Sequence, residues 1–107
     1  IMPWHLYHCV RKPFAPAAER GDIVLYRDGY VQYIKRLIGM PGDTVSIHDG
    51  RVYVNGVERP GPWTDGDGEW EVSEGEMFVL GDNRSVSLDS RDAESLPKYR
   101  NIIGIIR

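Results

Sequence analysis

Apolar and polar residues alternate in short runs along the chain, and the runs are rich in Val, Ile and Tyr. Gly, Pro, Asp or Asn interrupts them about every eight to twelve residues, a spacing typical of proteins built from short strands. The period of two predicts β-strands whose two faces meet different environments. The predicted strands cover residues 21–29, 30–40, 44–47, 51–54, 57–60, 76–82 and 101–107.

Two dipeptides predict tight turns between these strands. Asp49-Gly50 and Asn55-Gly56 both supply residue types that accept the positive φ angles of a hairpin turn. Residues 60–70 are mostly turn formers without a period, so we expect a surface loop there. Residues 92–99 have helical character, which Pro97 limits to a turn or two.

The elements together predict an all-β fold, a small folded sheet or barrel. A flat sheet of such short strands would leave one face and both edges in water. The chain has 107 residues, 41% of them hydrophobic, which suffices for one modest core. We therefore expect a single domain over residues 1–107.

Charge and cysteine content argue against several classes of function. The 16 acidic and 13 basic residues are spread along the chain and give a net charge of -3, which suggests neither a nucleic-acid partner nor an anionic membrane surface. Cys9 is the only cysteine and no Cys/His cluster has zinc spacing, so we expect no disulfide, no metal and no cofactor. No apolar run reaches the length of about eighteen residues that spans a bilayer. The opening IMPWHLY resembles the middle of a longer chain, so we expect an upstream segment.

A lysine stands within an otherwise apolar predicted strand, in the stretch YIKRLIGMPGD at residues 33–43. Strand alternation places Lys35 on one face with Tyr33 and Leu37, and Arg36 on the other face. If the first face is covered, loss of water favours the neutral amine, the form that acts as a general base. A lysine that extends its ammonium to water from a strand edge also fits this position.

The stretch GDNRSVSLDSR at residues 81–91 follows an apolar strand and contains neither Lys nor Glu. Its short hydrogen-bonding side chains suit a buried polar network. Asp89 and Arg91 are close enough in sequence to pair, and Ser87 is able to direct a hydroxyl to a nearby amine. A purely structural turn fits the same composition.

These segments together resemble the signal peptidase I family of serine proteases, in which a Ser/Lys dyad cuts secretory signal peptides. The matching blocks are YIKRLIGMPGD, the YVNG hairpin, GDNRSVSLDSR, GDIVLYR at residues 21–27, and the pair Met2 and Pro3. The resemblance covers nearly the whole chain except residues 60–70, where larger relatives carry an accessory β-domain. The chain thus resembles a minimal catalytic core.

The resemblance implies that Lys35 is the general base and that Ser87 orients it by a hydrogen bond. It implies a supporting ion pair between Asp89 and Arg91, and a structural role for Arg36. The residues that would shape the turn are Asp82, Asn83 and Arg84, and those that would bind substrate are Met2, Pro3, Gln32, Tyr33 and Ile34. The preprotein would lie along residues 32–34 as an added extended strand.

The implied reaction is acyl transfer, with backbone N–H groups holding the oxyanion. Its implied location is the extracytoplasmic face of a bacterial membrane, with an anchor upstream of this chain. The implied partners are signal-peptide-bearing preproteins and the membrane surface. Trp4, Trp63 and Trp70 fit ordinary core or rim positions, and those of them that form an exposed apolar surface would favour the membrane interface.

The nucleophile is where the chain departs from the family pattern. In the common form of the family the serine stands three residues before the Pro, just upstream of Ile1. In the conjugative-transfer branch a Ser-x-Pro spacing puts Ile1 in its place. Either arrangement leaves these 107 residues without a good nucleophile, so we predict that this polypeptide alone is inactive. The residues after Arg91 also lack the aromatic and Gly usual in the family.

Two other functions fit parts of the sequence. A self-cleaving repressor-type Ser/Lys peptidase has a similar fold but lacks the GDNR and DSR block. A non-catalytic peptide-binding module on the same scaffold fits if Ile1 truly replaces the serine. A metal site at His5, His8 and Cys9 is disfavoured, because alternation places His8 on the opposite face.

Overall fold

The structure, a computed structural model, describes residues 17–106 and the backbone of residues 9–11. Within this part of the chain nine strands form two antiparallel sheets, and the only helical segment is a 3-10 turn at Tyr99–Asn101. The strands are β1 (Cys9–Arg11), β2 (Ile23–Asp28), β3 (Val31–Gly39), β4 (Thr44–His48), β5 (Gly50–Val54), β6 (Val57–Thr64), β7 (Gly68–Glu71), β8 (Phe78–Leu80) and β9 (Ile102–Ile106). The all-β prediction is confirmed. None of the helical structure found in these residues is long and apolar enough to cross a membrane.

The first sheet has the order β1-β9-β2-β3-β8. Strand β3 pairs with β2 over Val31–Arg36, but its pairing with β8 begins only at Arg36. One edge of β3 from residue 31 to residue 35 therefore has no strand partner among the residues described. This sheet packs on one apolar cluster that includes Val24, Leu37 and Ile105.

The second sheet has the order β6-β5-β4-β7. Its two hairpin turns are those predicted, and the central residues have positive φ: 51° and 79° at Asp49 and Gly50, 53° and 80° at Asn55 and Gly56. A second apolar cluster combines residues of this sheet with Phe78 and Leu80 of β8. The two sheets therefore share a core.

The prediction of a loop over residues 60–70 is wrong. Strand β6 continues to Thr64 and β7 begins at Gly68, so only residues 65–67 separate them. Strand β6 lies at an edge and is exposed over all its residues except the last, so burial imposed no alternation on its sequence. The β5–β6 register shifts there, which leaves Pro60 and Pro62 outside the paired positions and makes their missing N–H groups tolerable.

The helical turn expected within residues 92–99 is also displaced. Residues 92–98 contain a turn, a bend and an isolated bridge from Lys98 to Glu76 but no helix, and the 3-10 turn starts only at Tyr99, two residues after Pro97. The proline ring fixes its own φ and disfavours helical geometry in the residue before it, so the helix begins beyond it.

A buried carboxylate holds the junction between β3 and β4. Asp43 accepts hydrogen bonds from Arg20 Nε at 2.8 Å and Nη2 at 2.7 Å, from the Met40 N–H at 2.8 Å and from Asn55 Nδ2 at 3.0 Å. The Arg20 guanidinium, aided by the other donors, lowers the pKa of Asp43 to about 2 although burial opposes this. The carboxylate ties the segment before β2, the β3–β4 turn and the Asn55 turn together.

Candidate active site

Lys35 lies near the middle of β3, on the face that it shares with Tyr33 and Leu37. Leu37 is fully buried and Tyr33 packs against the same core cluster, so the lysine emerges beside apolar side chains. Its side chain is partly buried, and Nζ donates a hydrogen bond to Ser87 Oγ at 2.8 Å. The sequence separates these two residues by 52 positions, and the fold brings them together.

Ser87 is held by the turn that follows β8. The N–H groups of Val86 and Ser87 both donate to the Asn83 carbonyl, at 3.3 and 3.0 Å, and Ser85 Oγ donates to Asn83 Oδ1 at 3.1 Å. Asn83 therefore organises the turn that presents the Ser87 hydroxyl to Lys35.

Gly81 makes this approach possible. A Cβ atom at Gly81 would clash with the Ser87 Oγ and Cβ atoms and would lie 3.5 Å from Lys35 Nζ. The hydroxyl thus packs directly on the Gly81 backbone. Sequence reasoning did not assign Gly81 to the site, and the only signal for it was its place at the end of an apolar strand.

A buried ion pair between Asp89 and Arg91 stabilises the same turn. Arg91 Nε donates to Asp89 Oδ1 and Nη2 donates to Oδ2, both at 2.8 Å, and the exposed fractions of the two side chains are 8% and 0%. Asp89 also accepts from the Gly81 N–H at 3.1 Å. Burial raises the pKa of the Asp89 carboxyl, but the Arg91 guanidinium and two backbone N–H groups outweigh it and the net pKa is lowered. The Asp89 carboxylate is therefore charged, and each of its two oxygens accepts two hydrogen bonds.

Arg36 and Asp82 form a second pair on the opposite face of β3. Arg36 Nη2 and Nε donate to the two carboxylate oxygens of Asp82 at 2.7 and 3.1 Å, and Nη1 donates to the Gly21 carbonyl at 2.8 Å. The guanidinium lowers the pKa of Asp82. This pair fixes the start of the turn to the end of β3 and to the segment before β2.

Arg84 joins the turn to the second sheet. Its Nη1 donates to Thr64 Oγ1 at 2.8 Å, and Thr64 in turn donates to the Pro62 carbonyl at 2.9 Å. The side chain is buried, and burial lowers the pKa of Arg84. Its Nε atom has no hydrogen-bond partner within the described residues.

Three of the expected substrate-binding residues lie on the unpaired edge of β3. Gln32 and Ile34 are exposed, whereas Tyr33 is partly buried and stacks on Tyr26 with ring centroids 5.3 Å apart. The expectation for Met2 and Pro3 falls outside the described residues, as do those for Ile1 and Trp4.

The structure thus separates the expected site residues into two groups. Lys35, Ser87, Asp89 and Arg91 meet around Gly81, whereas Arg36, Asp82 and Arg84 lie on the side that faces the second sheet. Across residues 17–106 no group of three or more His, Cys, Asp or Glu side chains is placed to hold a metal ion. An amine in contact with a hydroxyl suits proton transfer, provided that a substrate reaches the β3 edge.

Comparison with known proteins agrees with this geometry. The sequence profile of the family described as "Signal peptidase, peptidase S26" matches residues 5–107. Signal peptidase I S of Bacillus subtilis (strain 168) is 36% identical over 102 residues, which is 80% of this chain and 55% of that protein. Signal peptidase I of Bacillus licheniformis is 40% identical over 104 residues, with shares of 80% and 55%. The chain spans about half the length of these relatives.

A solved structure matches as well. The crystal structure of a signal peptidase I from Enterococcus faecalis V583 superposes with a TM-score of 0.71 at 32% identity, and the match covers 82% of this chain and 95% of that one. Family profile, relatives and fold agree, and this chain belongs to the signal peptidase (peptidase S26) family.

Proposed function

We propose that this chain carries the catalytic core of a serine endopeptidase that removes signal peptides from exported preproteins. The observation that carries the proposal is the 2.8 Å hydrogen bond from Lys35 Nζ to Ser87 Oγ, within the fold of this family. Relatives named signal peptidase I support the substrate class.

Lys35 acts as the general base in this mechanism. Lys35 Nζ takes the proton of an attacking serine hydroxyl while that oxygen bonds to the scissile carbonyl carbon. The amine then gives the proton to the leaving nitrogen, and a water attacks the resulting ester with Lys35 again as base. The family resemblance implies that the attacking serine stands near Met2 and Pro3, which lie outside the described residues. That the 107 residues alone are inactive therefore stays a prediction.

Ser87 orients the amine rather than attacking the substrate. Its Oγ accepts from Lys35 and packs on the Gly81 backbone, which leaves little space for a scissile carbonyl beside it. The Asp89–Arg91 pair keeps this arrangement fixed, because Asp89 also holds the Gly81 N–H. Such support for a reacting group is what precise proton transfer requires.

The preprotein binds as an extended strand along the unpaired edge of β3. That edge covers Gln32, Tyr33 and Ile34 and ends at Lys35, so a strand added there brings its backbone to the amine. Main-chain hydrogen bonds then supply affinity and shallow pockets supply selectivity. The same edge also suits a non-catalytic peptide binder, which is the second candidate function.

Contact with a membrane surface is part of the proposal. Exposed apolar side chains are sequence neighbours of both Lys35 and Ser87: Ile34 precedes Lys35, and Val86 and Leu88 stand on either side of Ser87 with 73% and 76% of their surface exposed. Trp63 on β6 is 66% exposed. A position at the extracytoplasmic face of a bacterial membrane would give these side chains a partner.

The decisive measurement is cleavage of a preprotein peptide by the chain together with any residues that its gene encodes upstream. Lys35→Ala should lower the rate by about a hundredfold to ten-thousandfold, the range for loss of a general base. Ser87→Ala should lower it by roughly tenfold, the value of one lost hydrogen bond. Ser73→Ala serves as the control and should match wild type, because Ser73 is exposed, lies outside this turn and makes no side-chain hydrogen bond among the described residues.

Two outcomes separate the candidate functions. Unchanged cleavage by Lys35→Ala would remove the peptidase mechanism. If no version cleaves but the peptide still binds and Ile34→Lys weakens that binding, the binding module is the correct function.

Membrane contact is tested by partitioning onto phosphatidylcholine vesicles. The Trp4→Ser, Trp63→Ser variant should partition less than wild type, since each indole favours the interface. Ser73→Ala, an exposed polar position on a turn, is the control. Equal partitioning of all three proteins would exclude a tryptophan-mediated contact.

A further inference from the structure

A cavity of about 450 Å³ lies on the face of β3 that is opposite to Lys35, between β3, β6 and the turn after β8. Arg20, Arg36, Arg59 and Arg84 line it, and Asp82 is the single acidic residue of the lining. We call it the arginine cavity. Its volume falls within the range of small-molecule sites.

The positive charges around this cavity exceed the carboxylates available to them. Arg20 pairs with Asp43 and Arg36 pairs with Asp82. Arg59 is exposed, and among the described residues neither a hydrogen bond nor an ion pair of its side chain is found. Among the described residues, the guanidinium groups of Arg59 and Arg84 are therefore left without an acidic partner within 4 Å.

Arg84 is the more telling of the two because only 8% of its surface is exposed. Its sole side-chain hydrogen bond in the described structure goes to the neutral Thr64 hydroxyl, and its Nε has none. Asp82 and Asp89 attract it from a distance, but they already hold Arg36 and Arg91, which repel it. Buried arginines are ordinarily paired with an anion.

We propose that the arginine cavity binds the phosphate group of a small molecule or a lipid. A guanidinium matches a phosphate with two parallel hydrogen bonds, and several guanidinium groups around one cavity suit its charge. Ile38, Pro60 and Pro62 give the cavity an apolar wall, which suits an organic body attached to the phosphate. The cavity is distinct from the proposed catalytic site at Lys35, because Arg36 and Lys35 lie on opposite faces of β3.

Inorganic phosphate is the first probe, and the readout is the thermal unfolding midpoint in phosphate against chloride at equal ionic strength. Wild type should be stabilised with a saturating dependence, as expected for a ligand that binds the folded state. Arg59→Gln should need about tenfold more phosphate for the same shift, the effect of losing one charge-assisted contact. Arg27→Gln, which removes the same charge from an exposed position outside the cavity, should behave as wild type.

Vesicles of phosphatidylglycerol and of phosphatidylcholine distinguish the sources of the phosphate. Binding to phosphatidylglycerol that Arg59→Gln weakens and Arg27→Gln preserves identifies a lipid headgroup. An effect of Arg59→Gln on inorganic phosphate alone identifies a free phosphate compound.

The proposal is overturned if Arg59→Gln and Arg27→Gln respond equally to both probes. Arg84→Gln gives a second test where it folds, since it should abolish the phosphate shift, and full retention of the shift would also overturn the proposal. If Arg84→Gln does not fold, the comparison of Arg59→Gln with Arg27→Gln decides. All of these measurements are independent of peptidase activity, so a failure here leaves the proposed function untouched.

Discussion

At the scale of single residues, the site depends on a missing side chain. Ser87 Oγ reaches Lys35 Nζ only because Gly81 has no Cβ to occupy the same space. The Gly81 N–H donates a hydrogen bond to the Asp89 carboxylate, so the Gly81 backbone has little freedom to move away from Ser87. An added methyl group must therefore displace the serine.

Gly81→Ala is expected to destabilise the fold by about 1–3 kcal/mol, the cost of overpacking a closed site. It should also break the Lys35–Ser87 hydrogen bond. Urea unfolding measures the first effect, and the cleavage assay described above, with the upstream residues present, measures the second. Ser87→Gly in the Gly81→Ala background removes the clashing atoms and should recover most of the stability but none of the Ser87 function. No recovery would show that the damage lies elsewhere.

The same residues show what the sequence was able to predict. Strand alternation predicted the face on which Lys35 lies, because the period of two holds wherever β3 is paired. The partnership with Ser87 came from family resemblance, since a contact across 52 positions has no local signal. The turn of Asn83 and the clash at Gly81 depend on backbone geometry that residue types alone do not determine.

At the scale of elements, paired and half-buried strands were predictable and the exposed edge was not. Hairpin β4–β5 was predicted from its alternation of apolar and polar residues and from Asp49-Gly50. Burial on one face restricts the residues of the strands, and a positive φ restricts those of the turn. Strand β6 has neither restriction over residues 57–63, and its prolines indicated a loop. Edge strands without a buried face are therefore the elements that pattern reasoning misses.

The junction of β3 and β4 gives a pH prediction. An unfolded Asp titrates at about 3.9, whereas the Arg20 guanidinium lowers the pKa of folded Asp43 to about 2. A lowered folded pKa gives stability that is present above about pH 4 and is lost as the pH falls toward 2. Its size is on the order of 2 kcal/mol at most, and less because Arg20 is 40% exposed and screened.

Asp43→Asn tests this expectation through urea unfolding between pH 2 and 7. The variant should be less stable than wild type at neutral pH, and the difference should shrink as the pH falls from about 4 to 2. Asp28→Asn, at an exposed strand end, serves as the control and should leave the profile unchanged. A constant difference across this range would show that the carboxylate charge contributes nothing.

At the scale of the whole molecule, the turn after β8 connects the two sheets. Arg84 donates a hydrogen bond to Thr64 Oγ1 of β6, and Arg91 Nη1 donates to the Asp65 carbonyl at 3.1 Å. The second apolar cluster also crosses between the sheets, with Trp70 and Phe78 ring centroids 4.9 Å apart. Polar and apolar contacts thus couple the same two layers.

This coupling predicts a single cooperative unfolding transition. In a Trp4→Phe background the remaining tryptophans, Trp63 and Trp70, both lie in the second sheet. Their fluorescence and far-ultraviolet circular dichroism should give coincident midpoints. Arg91→Lys keeps the positive charge but loses the bidentate contact with Asp89 and the contacts with the Asp65 and Arg84 carbonyls, which should cost about 1–3 kcal/mol. Because the residue serves both sheets, the two midpoints should fall together. If the fluorescence and dichroism midpoints of the variant separate, the two sheets unfold independently, and the contacts of the turn do not couple them.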